Sequence, residues 1–245
     1  MIIRLLSAAL AAGFLAAVVV TGLELTLTSP LIVAAERYEH AEPSHQAARA
    51  LPIVLAHAGH DHAAPDAAPD WEPAPGLPRM AFTALATLVG GVGYALLLGA
   101  VMLACGREPT PQVALAFAVA GFASVALAPG LGLPPELPGS EAAPLAIRQA
   151  WWLMTAAATG MGLYLIAIRR TLIAILGGLV LIIAPHVAGA PQAPEGASEL
   201  PAALAAQFAA RSLAISFVFW MLIGLGLGRA WQVFGRETAR GVARA

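Results

Sequence analysis

Six long apolar runs constrain this chain more than any other feature. Each run is near the ~20 residues that an α-helix needs to cross the hydrocarbon core of a bilayer. Of the 245 residues, 59% are hydrophobic and only 11% are charged, whereas soluble domains are about one quarter charged. The sequence therefore predicts an all-α integral membrane protein, with residues 1–245 forming a single membrane domain, and excludes a soluble globule. The predicted spans are roughly Leu5–Leu27, Ala81–Ala104, Gln112–Ala128, Ala150–Ile168, Thr171–Val187 and Ala206–Gly228.

The first run raises a question of processing. Arg4 precedes it, as in a secretory signal peptide. The apolar part of a signal peptide is about 7–15 residues long, and this run is longer. We therefore expect a retained helix, with a cleaved signal peptide as the alternative. The third and fifth runs reach prolines, Pro129 and Pro185, at which we expect the helices to end or break.

The distribution of arginine predicts the orientation in the membrane. All 13 basic residues are arginine, and short cytoplasmic loops carry an excess of basic residues. We therefore expect a multi-pass protein of the inner membrane with both termini in the cytoplasm. Residues 29–80 would then form an extracytoplasmic loop between the first two helices. This orientation places eight arginines on the cytoplasmic side: Arg4, Arg107, Arg169, Arg170, Arg229, Arg236, Arg240 and Arg244.

All six histidines fall on the outer side in this topology, and three of them form a cluster with an aspartate. His57, His60, Asp61 and His62 lie within six residues, and Gly59 allows the backbone to turn back on itself. Neutral imidazole suits cobalt, nickel, copper and zinc ions. The pattern predicts a loop that gathers a divalent metal ion. The alternative is a solvated polar linker in which the histidines have no metal role.

Three further residues are candidate metal ligands near or within the membrane. His186 follows Pro185 at the outer end of the fifth span, where it would be either a ligand or an interfacial side chain bonded to a neighbouring loop. Glu136 is the one charged residue of the apolar, proline-rich turn Pro129–Gly139, a segment that can dip back into a protein-lined cavity. Glu24 lies inside the first span, where a carboxylate is costly. We expect Glu24 either to pair with Arg148 or Arg211 or to contact a passing cation.

An internal repeat is a further interpretation. A proline lies near the end of each outward helix and an arginine near the start of each returning helix. Three related helical hairpins would explain this arrangement, although prolines and arginines also mark helix ends in unrelated sequences. The residues concerned are Pro30, Pro129 and Pro185, and Arg79, Arg148 and Arg211.

Several function classes are excluded or disfavoured. The net charge of −1 and the lack of a basic stripe argue against nucleic-acid binding. The single cysteine, Cys105, cannot form an intrachain disulfide. No phosphate-binding loop of the ATPase type is present. Ser124 and His186 together suggest an intramembrane serine hydrolase, but a glycine does not follow the serine. We therefore expect no enzyme activity and no permanently bound cofactor.

Beyond these residue patterns, the chain resembles a known family nearly from end to end. The most specific matching stretches are Ala128–Gly139 and Pro185–Pro191; Ser29-Pro30, the histidine cluster with Trp71-Glu72-Pro73, and Arg148–Trp152 also match. The family is that of the CbtA-type predicted cobalt transporter subunits. This resemblance implies cobalt uptake linked to cobalamin biosynthesis. It also implies a small companion subunit, CbtB, with one membrane span and its own histidines.

Our leading hypothesis is a permease, or a permease subunit, for Co²⁺, with Ni²⁺ and Zn²⁺ as alternative ions. The ion would be captured by the histidine loop, enter a vestibule formed by Glu136 and His186, and pass Glu24 on its way inward. The alternative functions are a membrane-bound metal-binding accessory or sensor that does not conduct ions, and more remotely the intramembrane hydrolase.

Overall fold

The computed structural model describes residues 1–39, 73–74, 76–193 and 200–242, and all regular structure in these ranges is helical. Five helices are long and apolar enough to cross a membrane. The sixth, Leu172–Ala188, has 17 residues, which is the lower limit for a span. Each predicted span coincides with one of these helices. The protein is therefore an all-α integral membrane protein, as the apolar runs predicted.

The six helices are numbered α1 to α6, and three of them contain one π-helical stretch. α1 is α-helical over Ile2–Leu23 and Ser29–Glu39, with a π-helix at Glu24–Thr28. α2 is Leu77–Ala104. α3 comprises Pro111–Phe122, a π-helix at Ala123–Leu127, and Ala128–Gly132. α4 is Leu145–Tyr164 followed by a π-helix at Leu165–Arg169. α5 is Leu172–Ala188, and α6 is Ala202–Val242.

Contrary to the prediction from the sequence, the helices do not end at their prolines. α1 continues past Pro30 to Glu39, α3 passes through Pro129, and Pro185 lies inside α5. A π-helix ends two residues before Pro30 and again two residues before Pro129. A proline ring in a regular helix clashes with the carbonyl four residues earlier, and the wider π turn moves that carbonyl away. Pro185 lies in the last turn of α5, where few residues remain to be distorted.

Within the described residues, the first two helical hairpins share features that the third does not show. In each, a π-helix precedes the proline, and the arginine at the start of the returning helix forms an ion pair with a glutamate. These pairs are Arg79 with Glu36 and Arg148 with Glu136. In the third hairpin, Arg211 instead donates to the carbonyl of Leu27 at 2.9 Å. The arrangement supports a repeat between the first two hairpins.

Four helices form the main core, and α4 and α5 lie outside it. α1 packs chiefly on α6 and α2, α3 packs on α6, and α4 packs chiefly on α5. The largest buried side chains of the core cluster include Met102, Ile223 and Leu227. Two close approaches rely on glycine pairs, as is common between membrane helices. A Cβ on Gly13 would lie 2.6 Å from the carbonyl oxygen of Gly91, and one on Gly162 would lie 2.6 Å from that of Gly178.

Both ends of the described chain lie at one end of the bundle. Arg4 Nε donates to the carbonyl of Trp231 at 2.8 Å, and the Arg4 guanidinium lies 4.0 Å from the centre of the Trp231 ring. The opposite end carries the ion pairs of the first two hairpins and the Arg211–Leu27 contact. Because six antiparallel helices return the chain to its starting side, the fold agrees with termini on a common side. The cytoplasmic location of that side stays a prediction from the arginine distribution.

Candidate functional site

Two cavities open in the half of the bundle opposite the termini. The first has a volume of about 590 Å³ and lies between α1, α2 and α6. The second, of about 410 Å³, lies between α6, the start of α4 and the proline-rich turn after α3. Each contains one of the glutamates that the sequence singled out. The two cavities therefore define the candidate site.

Glu24 lies in the first cavity at the start of the α1 π-helix. Its Oε2 accepts a hydrogen bond of 2.7 Å from Thr87 Oγ1 on α2. The expected pairing with Arg148 or Arg211 does not occur, because Arg148 pairs with Glu136 and Arg211 donates to a carbonyl. The cavity thus holds a single carboxylate and several hydroxyl groups between largely apolar walls. Its other hydroxyl-bearing residues are Thr28, Ser29, Thr83, Ser212 and Ser216.

Arg79 lines the outer part of the first cavity and ties α1 to α2. Its guanidinium forms an ion pair and hydrogen bond with Glu36. The helix ends that border the histidine segment lie close to this pair in sequence. Glu39 follows Glu36 by three residues, and Leu77 precedes Arg79 by two. Both of these helix ends thus lie within three residues of an ion pair whose arginine lines the Glu24 cavity.

Glu136 lies in the second cavity and is neutralised by an arginine. Its Oε2 lies 2.6 Å from Arg148 Nη2, and both side chains are about one third exposed. The proline-rich turn that carries Glu136 is anchored by Leu137, which is buried against Leu31 and Ala35 of α1. The turn therefore folds back onto the bundle, as its apolar composition suggested. Gln149 adds a further polar side chain to this cavity.

The two cavities meet at two serines that the sequence analysis missed. Ser212 and Ser216 of α6 line both cavities. They are four residues apart, so their hydroxyls lie on one face of the helix. The sequence did contain a signal for this pair, because two serines four residues apart stand out in an otherwise apolar span. They connect the surroundings of Glu24 with those of Glu136.

His186 lies apart from both cavities. Its imidazole makes an edge-to-face contact with Trp151, with ring centres 6.1 Å apart, whereas the neighbouring Trp152 lines the second cavity. The vestibule that we expected Glu136 and His186 to form together is not one of these cavities. The structure thus places Glu136 and Glu24 in cavities that share Ser212 and Ser216, and it sets His186 against Trp151 of α4.

The remaining predicted ligands, His57, His60, Asp61 and His62, lie outside the described residues. Within the ranges that are described, no group of three or more His, Cys, Asp and Glu side chains is close enough to hold a metal ion. The metal-binding roles of His57, His60, Asp61, His62, His186, Glu136 and Glu24 therefore stay predictions.

The serine of the hydrolase hypothesis has a structural partner in its own helix. Ser124 Oγ donates to the carbonyl of Ala120 at 2.7 Å. Among the described residues, no hydrogen bond joins Ser124 to His186. This arrangement gives no support to a catalytic dyad.

One comparison with known proteins identifies a family. A family model described as "Probable cobalt transporter subunit (CbtA)" matches residues 2–232. No curated protein and no solved structure matches the chain. The match covers nearly the whole protein and includes every residue of the two cavities.

Proposed function

Because the chain belongs to the CbtA family of probable cobalt transporter subunits, we propose that it is the permease subunit that carries Co²⁺ across the inner membrane. The observation that carries this proposal is the pair of cavities that meet at Ser212 and Ser216, each with one membrane-embedded or interfacial carboxylate. A carboxylate inside a bundle is costly and usually marks an ion route. A transporter subunit is also expected to act together with other subunits on its metal-ion substrate.

The first step of the proposed route is capture outside the membrane. His57, His60, Asp61 and His62 supply imidazole and carboxylate ligands suited to Co²⁺. The ends of the segment that bears them adjoin the Arg79–Glu36 pair above the first cavity. Capture on a loop would raise the local concentration of the ion at the mouth of the bundle.

The second step is passage between oxygen ligands. Glu136 is paired with Arg148, so an arriving cation has to displace the guanidinium before it gains the carboxylate. Glu24 has no arginine partner among the described residues, and its carboxylate accepts only a neutral hydroxyl. The hydroxyls of Ser212 and Ser216 would hold a partly hydrated ion between the two. Weak oxygen ligands of this kind allow an ion to leave as well as to enter.

The biological setting follows from the resemblance to the family. It supports cobalamin biosynthesis as the process that receives the cobalt, and a small one-span, histidine-bearing CbtB-like protein as the companion subunit. The position of His186 at the outer end of α5 makes it a candidate ligand at a contact with that companion. Cobalt is the transported substrate, and Ni²⁺ or Zn²⁺ would fit the same ligand types.

A metal-binding accessory or sensor without conduction is the second candidate function. The observation that favours it is the closed half of the bundle beneath the cavities. Met102, Ile223 and Leu227 are fully buried there and pack together in the main core. Conduction therefore requires a second conformation in which this half opens.

Uptake of Co²⁺ into sealed proteoliposomes, read by a trapped metal-quenched dye, distinguishes the two functions. We expect entry with the unmodified protein and a reduced rate of entry in Glu24→Gln and in Glu136→Gln. Glu141→Gln is the matched control, because Glu141 is an outer glutamate that does not line these cavities. Binding of Co²⁺ without entry, even when the companion subunit is present, would favour the accessory.

A further inference from the structure

One face of α4 carries three buried polar groups in a row. Trp151, Thr155 and Thr159 follow one another at four-residue intervals, with side chains that are 7%, 0% and 3% exposed. Trp151 Nε1, Thr155 Oγ1 and Thr159 Oγ1 have no hydrogen-bond partner within the part of the chain that the structure describes. Buried polar groups in proteins are nearly always hydrogen-bonded. A row of three such groups on one helix face therefore calls for a ligand.

The two threonines differ from the other hydroxyl-bearing residues of the apolar helices. A hydroxyl inside a membrane helix ordinarily donates to a carbonyl one turn earlier. Five residues in the described helices do so: Thr26, Thr28, Thr83, Thr87 and Ser124. Thr155 and Thr159 have the same option and do not use it. Neither hydroxyl is therefore hydrogen-bonded to the backbone of its own helix.

The face that carries these groups is the face that α4 presents to α5. Gly162 follows Thr159 by three residues, so it lies on the same side of the helix, and it packs directly on Gly178 of α5. At the other end of the row, Trp151 contacts His186 of α5. The three polar groups therefore line a seam between α4 and α5. The seam is closed at one end by the glycine contact and bordered at the other by His186.

α5 offers a hydrogen-bond acceptor to this seam. Pro185 follows Gly178 by seven residues, which places both on one helix face, and both are buried. Because Pro185 has no amide hydrogen, the carbonyl of Leu181 lacks the donor that a regular helix would supply. That carbonyl points along the helix towards Pro185 and so lies on the same face. The two threonine hydroxyls of α4 thus lie on the side of an acceptor of α5, and the Trp151 indole borders them in contact with both His186 and Gly132 of α3.

We propose that the α4–α5 seam binds a short row of ordered water molecules. Water is both donor and acceptor, so it can accept from the indole and the two hydroxyls and donate to the Leu181 carbonyl. Buried waters make about three such hydrogen bonds each. A divalent cation does not fit, since these four groups include no carboxylate to offset its charge and the indole nitrogen only donates. The seam is thus an aqueous pocket separate from the two glutamate cavities.

The position of the seam gives it a role in the membrane. It begins beside His186 at the outer end of α5 and ends at Gly162 and Gly178, well inside the spanning segments. Water there would hydrate the His186 side of the interface. The glycine contact would keep this water from continuing towards the other side.

Hydroxyl-radical footprinting of the purified full-length protein by X-ray pulses tests the proposal, because radicals form from bound water in place. The matched reference is Trp220, which is as buried as Trp151 but lies in the main core. We expect several-fold faster oxidation of Trp151 than of Trp220, and a loss of this excess in the double variant Thr155→Val/Thr159→Val. Equal rates, or an excess that the double variant retains, would overturn the proposal.

A thiol-accessibility measurement covers the case in which the double variant does not fold. In a Cys105→Ser background, Thr159→Cys should react with Ag⁺, an ion small enough to follow water. Leu153→Cys on the exposed, lipid-facing side of α4 is the control. A Thr159→Cys thiol that reacts no faster than the Leu153→Cys thiol would contradict a water-filled seam.

Discussion

Thr87 Oγ1 donates a 2.7 Å hydrogen bond to the Glu24 carboxylate and thereby joins α2 to the π-helix of α1. Thr87 Oγ1 also lies 2.9 Å from the carbonyl of Thr83. A hydroxyl has one proton and can donate to only one of these oxygens at a time. When the Thr87 hydroxyl donates to the Thr83 carbonyl, only a lone pair of its oxygen is directed at Glu24. The position of this proton therefore decides whether Thr87 meets Glu24 as a hydrogen-bond donor or with a lone pair.

Removal of the Thr87 hydroxyl should weaken the Glu24 site. In Thr87→Val, the carboxylate loses a charge-assisted hydrogen bond worth about 1.5–3 kcal/mol and an oxygen ligand for the ion. We expect the Co²⁺ concentration for half-maximal uptake to rise by about tenfold, as 1.4 kcal/mol corresponds to one decade. Thr26→Val is the control, since Thr26 is an exposed threonine that bonds only within α1. Equal half-maximal concentrations in the two variants would remove Thr87 from the site.

Arg148 should act as a competitor of the transported ion at Glu136. Arg148→Gln frees the carboxylate, so we expect tighter Co²⁺ binding to the purified protein by calorimetric titration, whereas Arg148→Lys should retain the competition. The effect on stability should stay within about 1 kcal/mol, because the pair is partly exposed. Weaker binding in Arg148→Gln would show that the arginine assists the ion instead of competing with it.

The contact between α4 and α5 should depend on its two glycines. Gly178→Ala would place a Cβ 2.6 Å from the carbonyl oxygen of Gly162, so the helices must separate at a cost of about 1–3 kcal/mol. Thermal unfolding in detergent should show a lower midpoint. Gly177→Ala is the control, because a Cβ at Gly177 meets nothing within 4 Å. Similar midpoints for the two variants would contradict the close contact.

The histidine loop should affect the apparent Co²⁺ affinity of uptake more than its maximal rate. Replacement of His57, His60 and His62 together by Ala should raise the Co²⁺ concentration for half-maximal uptake and leave the maximal rate nearly unchanged. In the unmodified protein the affinity should fall below about pH 6, where protons compete with the metal for imidazole. A complete loss of uptake in the triple variant would make the loop part of the route itself.

The topology can be checked by reporter tags at each terminus. Both tags should report the cytoplasmic side, given the excess of arginine at that end of the bundle. An external C-terminus would place the histidines inside the cell and overturn the capture step.

The helices could be predicted from the sequence because a span must be about 20 apolar residues long whatever it packs against. The behaviour at Pro30 and Pro129 could not, because a π turn that accommodates a proline leaves no mark in composition. Glu24 and Glu136 stood out as charges in apolar surroundings. Their connection through Ser212 and Ser216 depends on the packing of α6 against α1 and α3, which periodicity does not reveal. The separation of His186 from Glu136 has the same cause.

The ion pair between Glu36 and Arg79 has a consequence for the capture step that we propose. The two described helix ends that flank the histidine segment, Glu39 and Leu77, lie within three residues of this pair, and Arg79 lines the Glu24 cavity. A metal ion released from the histidine segment would reach this cavity first. We therefore expect Glu24 to be the first membrane-embedded ligand that the ion meets. Replacement of Glu24 should accordingly reduce the rate of uptake more than replacement of Glu136. This difference should disappear once a protease cuts the chain between Glu39 and Leu77.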